Sequence, residues 1–346
     1  MASFLKTSLG KLPLLRKFTA ERDAAKAKLE AFKKKAAGDR EKDRAKLAAQ
    51  KEKLTTEREQ WKARLAALEK SVGFVPPGHF YSPIPSLEEV AKDDAAIFGA
   101  VPRSIPGVDL REDEQLKLLH MLLPFYHEMP FKEEKQEGLR YYFDNPSYAH
   151  SDAIFLHCLI RHLKPRRFIE VGSGFSSCVT LDTNDRFFEG GIDITFIEPY
   201  PDLLKSLVSD SDRSKIKIIP SRLQDVDLGL FDTLQANDIL FIDSTHVSKV
   251  HSDVNRVIFD ILPRLAPGVH VHVHDIFYPF EYPKVWIMEG RAWNEAYLLR
   301  AFLQNNNAWR VVLMNTFMEI FHSAFFQQNM PLCLKNPGAS IWLRRE

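Results

Sequence analysis

From Ile154 onward the chain alternates short apolar runs with helical stretches, and this alternation restricts its fold more than any other feature. Residues 167–171 read as a strand and 176–188 as the helix after it. Residues 192–197 form a second strand, followed by a helix from Asp202, and 216–219 form a third. Residues 239–242, uncharged and bounded by Asp238 and Asp243, are a fourth. Val250, Val254, Val257, Ile258, Ile261 and Leu265 then share one face of a predicted helix that ends near Pro267 and Gly268. A fifth strand over 269–273, a helix over about 292–303 and strands near 310–313 and 340–343 complete the series. Strands alternating with helices predict an α/β fold with a doubly wound, mainly parallel sheet covered on both faces. Ligands of such sheets lie beyond the carboxyl ends of the strands. The residues that directly follow each strand are therefore the first candidates for function.

The preceding half of the chain is organised differently. Residues 21–70 carry 16 Lys/Arg against 10 Asp/Glu, although the whole chain has a formal charge of only +1. This stretch has no proline, a single glycine and long runs of strong helix formers. Leu47, Leu54, Trp61 and Leu68, with Leu65 beside them, recur as a short heptad seam. Residues 1–71 are thus a charged helical arm, either a coiled coil that joins protomers or a solvated helix with no partner. Val75-Pro76-Pro77-Gly78 stops it. An extended aromatic segment, His79-Phe80-Tyr81, and a helical stripe of Leu116, Leu119, Leu123 and Tyr126 mark 72–150 as an accessory cap. The alternating region, 151–346, is the main domain.

Three scattered cysteines, Cys158, Cys178 and Cys333, make neither a disulfide framework nor a metal pattern. Lys6, Lys11, Arg16 and Lys17 interrupt the start of the chain, so no signal-peptide core is expected there, and no later stretch has the length of a transmembrane span. The chain reads as a cytoplasmic protein. Its near-zero net charge gives no case for nucleic acid, and in the arm the interspersed acids weaken any single-sign face for a polyanion or a lipid surface.

After the first strand comes Glu170-Val171-Gly172-Ser173-Gly174-Phe175-Ser176-Ser177 and then a helix. Glycines at 172 and 174 permit a tight turn and a close approach of backbone to ligand. A dinucleotide fingerprint would also place glycine at 177, where the chain has Ser177. The second strand ends in Glu198, placed to accept hydrogen bonds from ribose hydroxyls. As a set, Glu170, Gly172, Ser173, Gly174 and Glu198 resemble the first two motifs of class I S-adenosylmethionine-dependent methyltransferases. The resemblance covers roughly 150–345 and implies a seven-stranded, Rossmann-like sheet that binds S-adenosylmethionine. It also implies an adenine contact just after the third strand, at Asp225 or Gln224.

The fourth strand leads into Asp243-Ser244-Thr245-His246 and the fifth into His274-Asp275. Neighbouring strands would bring Asp243, His246, His274 and Asp275 to one crevice as candidate catalytic residues. The pattern resembles the group that contains macrolide-sugar and aminocoumarin O-methyltransferases, which implies a sugar hydroxyl or a glycosylated small molecule as acceptor. Some relatives hold Mg²⁺ there, which would fall on Asp243 and Asp275, although Ile276 stands where catechol-type enzymes place a further ligand. Without a metal, His246 or His274 is the expected general base. His270 and His272 are expected to be packing histidines. The aromatic and charged stretch from Phe277 to Glu295 is either an acceptor wall or an ordinary packed joint. Two other functions compete: an NAD-type Rossmann oxidoreductase, and a non-catalytic adenosylmethionine-binding scaffold that works through its arm.

Overall fold

The structure, a computed structural model, describes the backbone of residues 13–71 and 73–346 and the side chains of 16–66 and 73–346. The first residues of the basic start of the chain, and the side chain of Leu68 in the heptad seam, lie outside the described ones. The chain divides into two units that part between Ser82 and Pro83.

In the first unit, α1 (Pro13–Ser71) is one uninterrupted helix of 59 residues. At a rise of 1.5 Å per residue it is roughly 90 Å long. Its large apolar side chains from Phe18 to Leu65 are all exposed. After the Pro76-Pro77 stop, the rings of His79 and Phe80 stack at 4.4 Å and those of Phe80 and Tyr81 lie 4.1 Å apart. Among the described residues, no helix is long and apolar enough to cross a membrane.

The second unit is built on α2 (Glu112–His127), α3 (His150–Leu163), β1 (Arg167–Val171), α4 (Phe175–Phe188), β2 (Asp193–Ile197), β3 (Lys217–Ile219), β4 (Ile239–Ile242), β5 (His270–His274), α5 (Glu295–Leu303), β6 (Trp309–Met314) and β7 (Ser340–Arg345). The strands form one sheet in the order β3-β2-β1-β4-β5-β7-β6. The pairs from β3 to β5 are parallel, and β7 runs antiparallel to both β5 and β6. Every residue of β4 and β5 is buried, as layers on both faces require. Register fixes the site: Val171 pairs with Ile197 and with Ile242, and Ile242 pairs with Val273. The next residues in each chain, Gly172, Glu198, Asp243 and His274, therefore emerge along one edge of the sheet, at the switch between β1 and β4.

Composition shifts near 72 and 150, whereas the contacts divide at 82. Residues 83–150 supply Leu119, Leu122, Tyr141 and Phe143 to the same core as the sheet. The Gln115 side chain accepts from the Met314 backbone N–H at 2.7 Å and so ties α2 to the end of β6. One predicted helix is shorter than its apolar pattern suggests. Val250 is exposed, and Ser252 caps the helix by accepting from the Asn255 N–H at 3.2 Å. The helical turns then widen over Arg256–Ile261 and tighten over Leu262–Arg264. Val250 fits the periodicity by coincidence, because Ser252 gives the backbone a better start two residues later.

Candidate active site

The turn after β1 depends on Gly172. Its φ is +80°, and a Cβ there would stand 1.7 Å from the carbonyl oxygen of Asp243. The backbones are also joined by hydrogen bonds, Gly172 N–H to Ile197 O at 3.0 Å and Asp243 N–H to Val171 O at 2.9 Å. The loops after β1, β2 and β4 are thus one connected piece. Gly174 differs: its backbone is extended, and an added Cβ would meet only Leu203 at an ordinary 3.5 Å. Of these two, only Gly172 is compelled by the fold itself to be glycine.

Glu170 lies beneath this turn, fully buried. Its Oε1 accepts from the hydroxyls of Ser176 and Ser177 at 2.6 and 2.8 Å, which fixes the first turn of α4. Burial pushes its carboxyl up to about 8, and its Oε2 has no hydrogen-bond partner. Glu198 faces the turn, with one oxygen accepting from Ser173 N–H at 3.2 Å and the other from Tyr200 N–H at 2.8 Å.

A cleft of about 400 Å³ opens here, lined by Gly172, Glu198, Tyr200, Gln224, Asp243 and Ser244 among others. Two hydroxyls beside it, Ser173 Oγ and Ser244 Oγ, are buried without partners. Of the two residues proposed after β3, Gln224 lines the cleft and donates to His251 O at 2.9 Å. Asp225 turns outward, where both of its oxygens accept from Arg222 at 2.8 and 3.0 Å. The sequence cannot distinguish these two neighbours, because a short helical turn at 223–225 decides which one faces inward. Tyr200, exposed at the cleft rim, carries no sequence signal beyond its closeness to Glu198.

Beyond the cleft the four candidate catalytic residues come together. His246 is buried, and its Nδ1 lies 2.9 Å from Glu295 Oε2. Its Nε2 faces Asp243 Oδ1 at 3.4 Å and Asp275 Oδ2 at 3.6 Å. Burial works against a charge on this ring, but the bonds to Asp243 and Glu295 outweigh it and carry His246 up to about 10. These bonds favour the imidazolium form at neutral pH, which weighs against His246 as the base and in favour of a charged partner for the carboxylates. Burial raises Asp275, against the opposing pull of His274 and His246. In Asp243, burial is outweighed by the same two histidines, and its carboxyl falls. His246 and Asp275 also have φ of +59° and +53°, a strained backbone that concentrates at functional sites. His274 sits one step deeper, its Nε2 3.7 Å from Asp275 and its ring 5.3 Å from that of Tyr148.

Glu295, expected only as part of the acceptor stretch, joins the site as the partner of His246, a role that sequence reasoning missed. It opens α5 and is buried, 49 residues from the histidine it holds. In sequence it resembles any acid at the start of a helix, where the dipole favours negative charge. His272 behaves as expected of a packing residue: it stacks on Phe241 at 4.0 Å, and burial drives its pKa well down. Trp293 lies 4.5 Å from the ring of His246 and also walls a second cavity of about 280 Å³. That cavity is lined by Glu281, Tyr282, Arg291 and Tyr297 among others, and Arg291 sits 5.4 Å from the Trp293 ring. The His79-Phe80-Tyr81 segment, expected in the accessory cap, belongs to the first unit.

Residues 169–276 match the model of a family described as a methyltransferase domain. An uncharacterized protein from Archaeoglobus fulgidus is 37% identical over 177 residues, which span 50% of this chain and 79% of that protein. Among solved structures, the chain is similar to the O-methyltransferase TomG from Streptomyces achromogenes, involved in tomaymycin synthesis and solved with S-adenosylmethionine. The identity is 15% and the TM-score 0.39, with 74% of this chain and 96% of that one covered. The S-adenosylhomocysteine-bound methyltransferase PaMTH1 of Podospora anserina matches at 14% identity and a TM-score of 0.37, covering 77% and 99%.

Proposed function

Because the chain belongs to the class I S-adenosylmethionine-dependent methyltransferases, we propose that it methylates an acceptor hydroxyl, on a sugar or a glycosylated small molecule, at the carboxyl ends of β4 and β5. Membership in this family sets aside the NAD-type oxidoreductase. The observation that carries the reading is the cluster of half-buried Asp243 and Asp275 with buried His246 and Glu295, directly beside a cleft that suits the cofactor. That fit rests on the room above Gly172, the unpartnered hydroxyls of Ser173 and Ser244, and Glu198 facing the turn. Glu198 would hold the ribose, Gln224 the adenine edge, and the backbone at 172–174 the amino-acid end. Glu170 serves this end indirectly, since it is sealed beneath the turn and fixes Ser176 and Ser177.

When bound, S-adenosylmethionine supplies an electrophilic methyl group. The chain must place an oxygen in line with it and take away the proton of that oxygen. Asp275 takes the role of base, because burial makes its carboxylate the more basic of the pair. Charged His246, oriented by Glu295, keeps the two carboxylates together and balances their repulsion. Trp293, Tyr282 and Arg291 offer aromatic faces and donors to a polyhydroxylated acceptor.

The Mg²⁺ reading on Asp243 and Asp275 does not fit this arrangement. No group of three or more His, Cys, Asp or Glu among the described residues is set to hold a metal ion. His246 Nε2, 3.4 Å from Asp243 Oδ1 and 3.6 Å from Asp275 Oδ2, already stands between the two carboxylates.

Calorimetric titration with S-adenosylhomocysteine, with and without Mg²⁺ and with NAD as control, tests the reading. The expected result is roughly micromolar binding of the homocysteine compound alone, unchanged by Mg²⁺, followed by turnover on sugar acceptors. Binding without turnover on any hydroxyl acceptor would favour the scaffold function instead.

A further inference from the structure

The arm does not distribute its residues at random around its axis. At about 100° per residue, Phe18, Leu29, Phe32, Leu47, Leu54, Trp61 and Leu65 all fall within a strip roughly 60° wide. These are all the large apolar side chains described between 16 and 66, and each is more than half exposed. The strip is interrupted around Gly38, where Asp43 enters it, so its strongest block is Leu47–Leu54–Trp61–Leu65.

The charges are sorted as well. By the same ~100° step, one flank of the strip holds Arg22, Lys26, Lys33, Arg40, Arg44, Lys51, Arg58 and Lys62, with no acid among them in the described side chains of 16–66. A row on the other side holds Lys17, Lys28, Lys35, Lys46, Lys53 and Arg64. Asp23, Glu30, Glu41, Glu52 and Glu59 lie on the opposite face, and only Glu57 borders the strong block. Glu21, Asp39 and Glu57 fall between the strip and the second basic row, and Arg16 and Lys34 fall on the acidic face, so the sorting is clean on the first flank alone. A few bases pair with acids along the helix, such as Lys33 with Glu30 and Lys62 with Glu59, both highly exposed. Such pairs hold their partners weakly.

We propose that α1 lies on an anionic lipid surface, with Leu47, Leu54, Trp61 and Leu65 at the headgroup boundary and the basic rows on lipid phosphates. Leu and Trp on one face flanked by Lys and Arg make an interfacial helix, and the long basic side chains reach outward from its edges. A second copy of the helix is the poorer occupant. Placed seam to seam, parallel or antiparallel, two arms set mostly basic rows against each other, and like charges there oppose pairing. A nucleic acid would satisfy the basic rows and leave the apolar strip in water.

The test uses the full chain and sedimentation with vesicles of phosphatidylcholine alone or with about one-third phosphatidylserine, as an anionic surface. Binding to the anionic vesicles only is expected, and it should be lost near 0.5 M salt, where screening is short-ranged. Neutralising Lys51, Arg58 and Lys62 together (K51Q, R58Q, K62Q) should weaken it roughly 100-fold, at about fivefold per charge. Leu54→Ser with Trp61→Ser should also weaken it while leaving the charge intact; circular dichroism confirms that either variant keeps its helix. No binding to anionic vesicles at low salt would overturn the proposal. So would equal binding to both vesicle types, or tighter binding to an oligonucleotide that the serine variant leaves unchanged. A dimer in light scattering that the serine variant dissociates would assign the strip to a second copy.

Discussion

Gly172 and Asp275 carry the most specific consequences at the scale of single residues. Any side chain at 172 meets both a left-handed backbone and the Asp243 carbonyl, so Gly172→Ala should cost about 3 kcal/mol or more in denaturant unfolding. Gly174→Ala, with open space around its Cβ, should leave stability nearly unchanged. Asp275→Asn should lower kcat by roughly 10²- to 10⁴-fold, as loss of a general base does, while S-adenosylhomocysteine still binds in calorimetry. Loss of cofactor binding in that variant would move Asp275 out of the proposed role. His246 gives a pH signature. Its folded pKa, about 10, lies above the ordinary value of about 6.5. The stability it contributes is therefore fully present below about pH 6.5 and is lost as pH rises through 10. Urea unfolding from pH 6 to 10 should show a decline that His246→Gln flattens.

At the scale of elements, the strands were the most legible part of the sequence. The expected bounds of β1 and β4 coincide with the observed ones, because a short apolar run between polar ends leaves a backbone few alternatives. Contacts distant in sequence were not legible. Arg140 donates to Asp182 and Asp185 at 2.7 Å and through its Nε to Asp212 at 3.0 Å, joining the chain before α3 to α4 and to the short helical turn Asp210–Arg213. No spacing rule connects residues 42 and 72 positions apart. Replacing Arg140 by Met strands three carboxylates in a half-buried setting and should cost about 3–5 kcal/mol. The clasp is also sensitive to acid. The hydrogen bonds of Arg140 and Ser209 outweigh burial and hold Asp212 down near 2, so its contribution is present above an unfolded value of about 3.9 and disappears as pH falls toward 2. The site shows the same limit: the loops after the strands could be read one by one, but the hydrogen bond that Glu295 of α5 accepts from His246, which adds to the pull of Asp243 on that ring, could not.

The whole molecule combines two kinds of order. The second unit owes its shape to a single core in which the sheet and residues 83–150 share side chains. The arm has no such core, and only propensity and a sorted surface mark it. Composition revealed that it was helical and basic, whereas the sorting emerges only when residues are laid around the axis. Since cofactor and arm rest on separate units, substitutions at Leu54 and Trp61 should leave S-adenosylhomocysteine affinity within about twofold, a shift well under 1 kcal/mol.

The arm's strip also has a phase. Leu29, Leu47 and Leu65 are aligned because each interval spans about five whole turns, so the face depends on the count of residues between them. Removing one residue near Gly38 would turn everything beyond it by about 100°, setting Leu47, Leu54, Trp61 and Leu65 off the line of Phe18, Leu29 and Phe32 without changing any of their identities. Removing about eighteen would restore the line in a shorter rod. On the proposed lipid-facing role, a length change in this arm should preserve binding only when it brings the helix back to nearly the same angle.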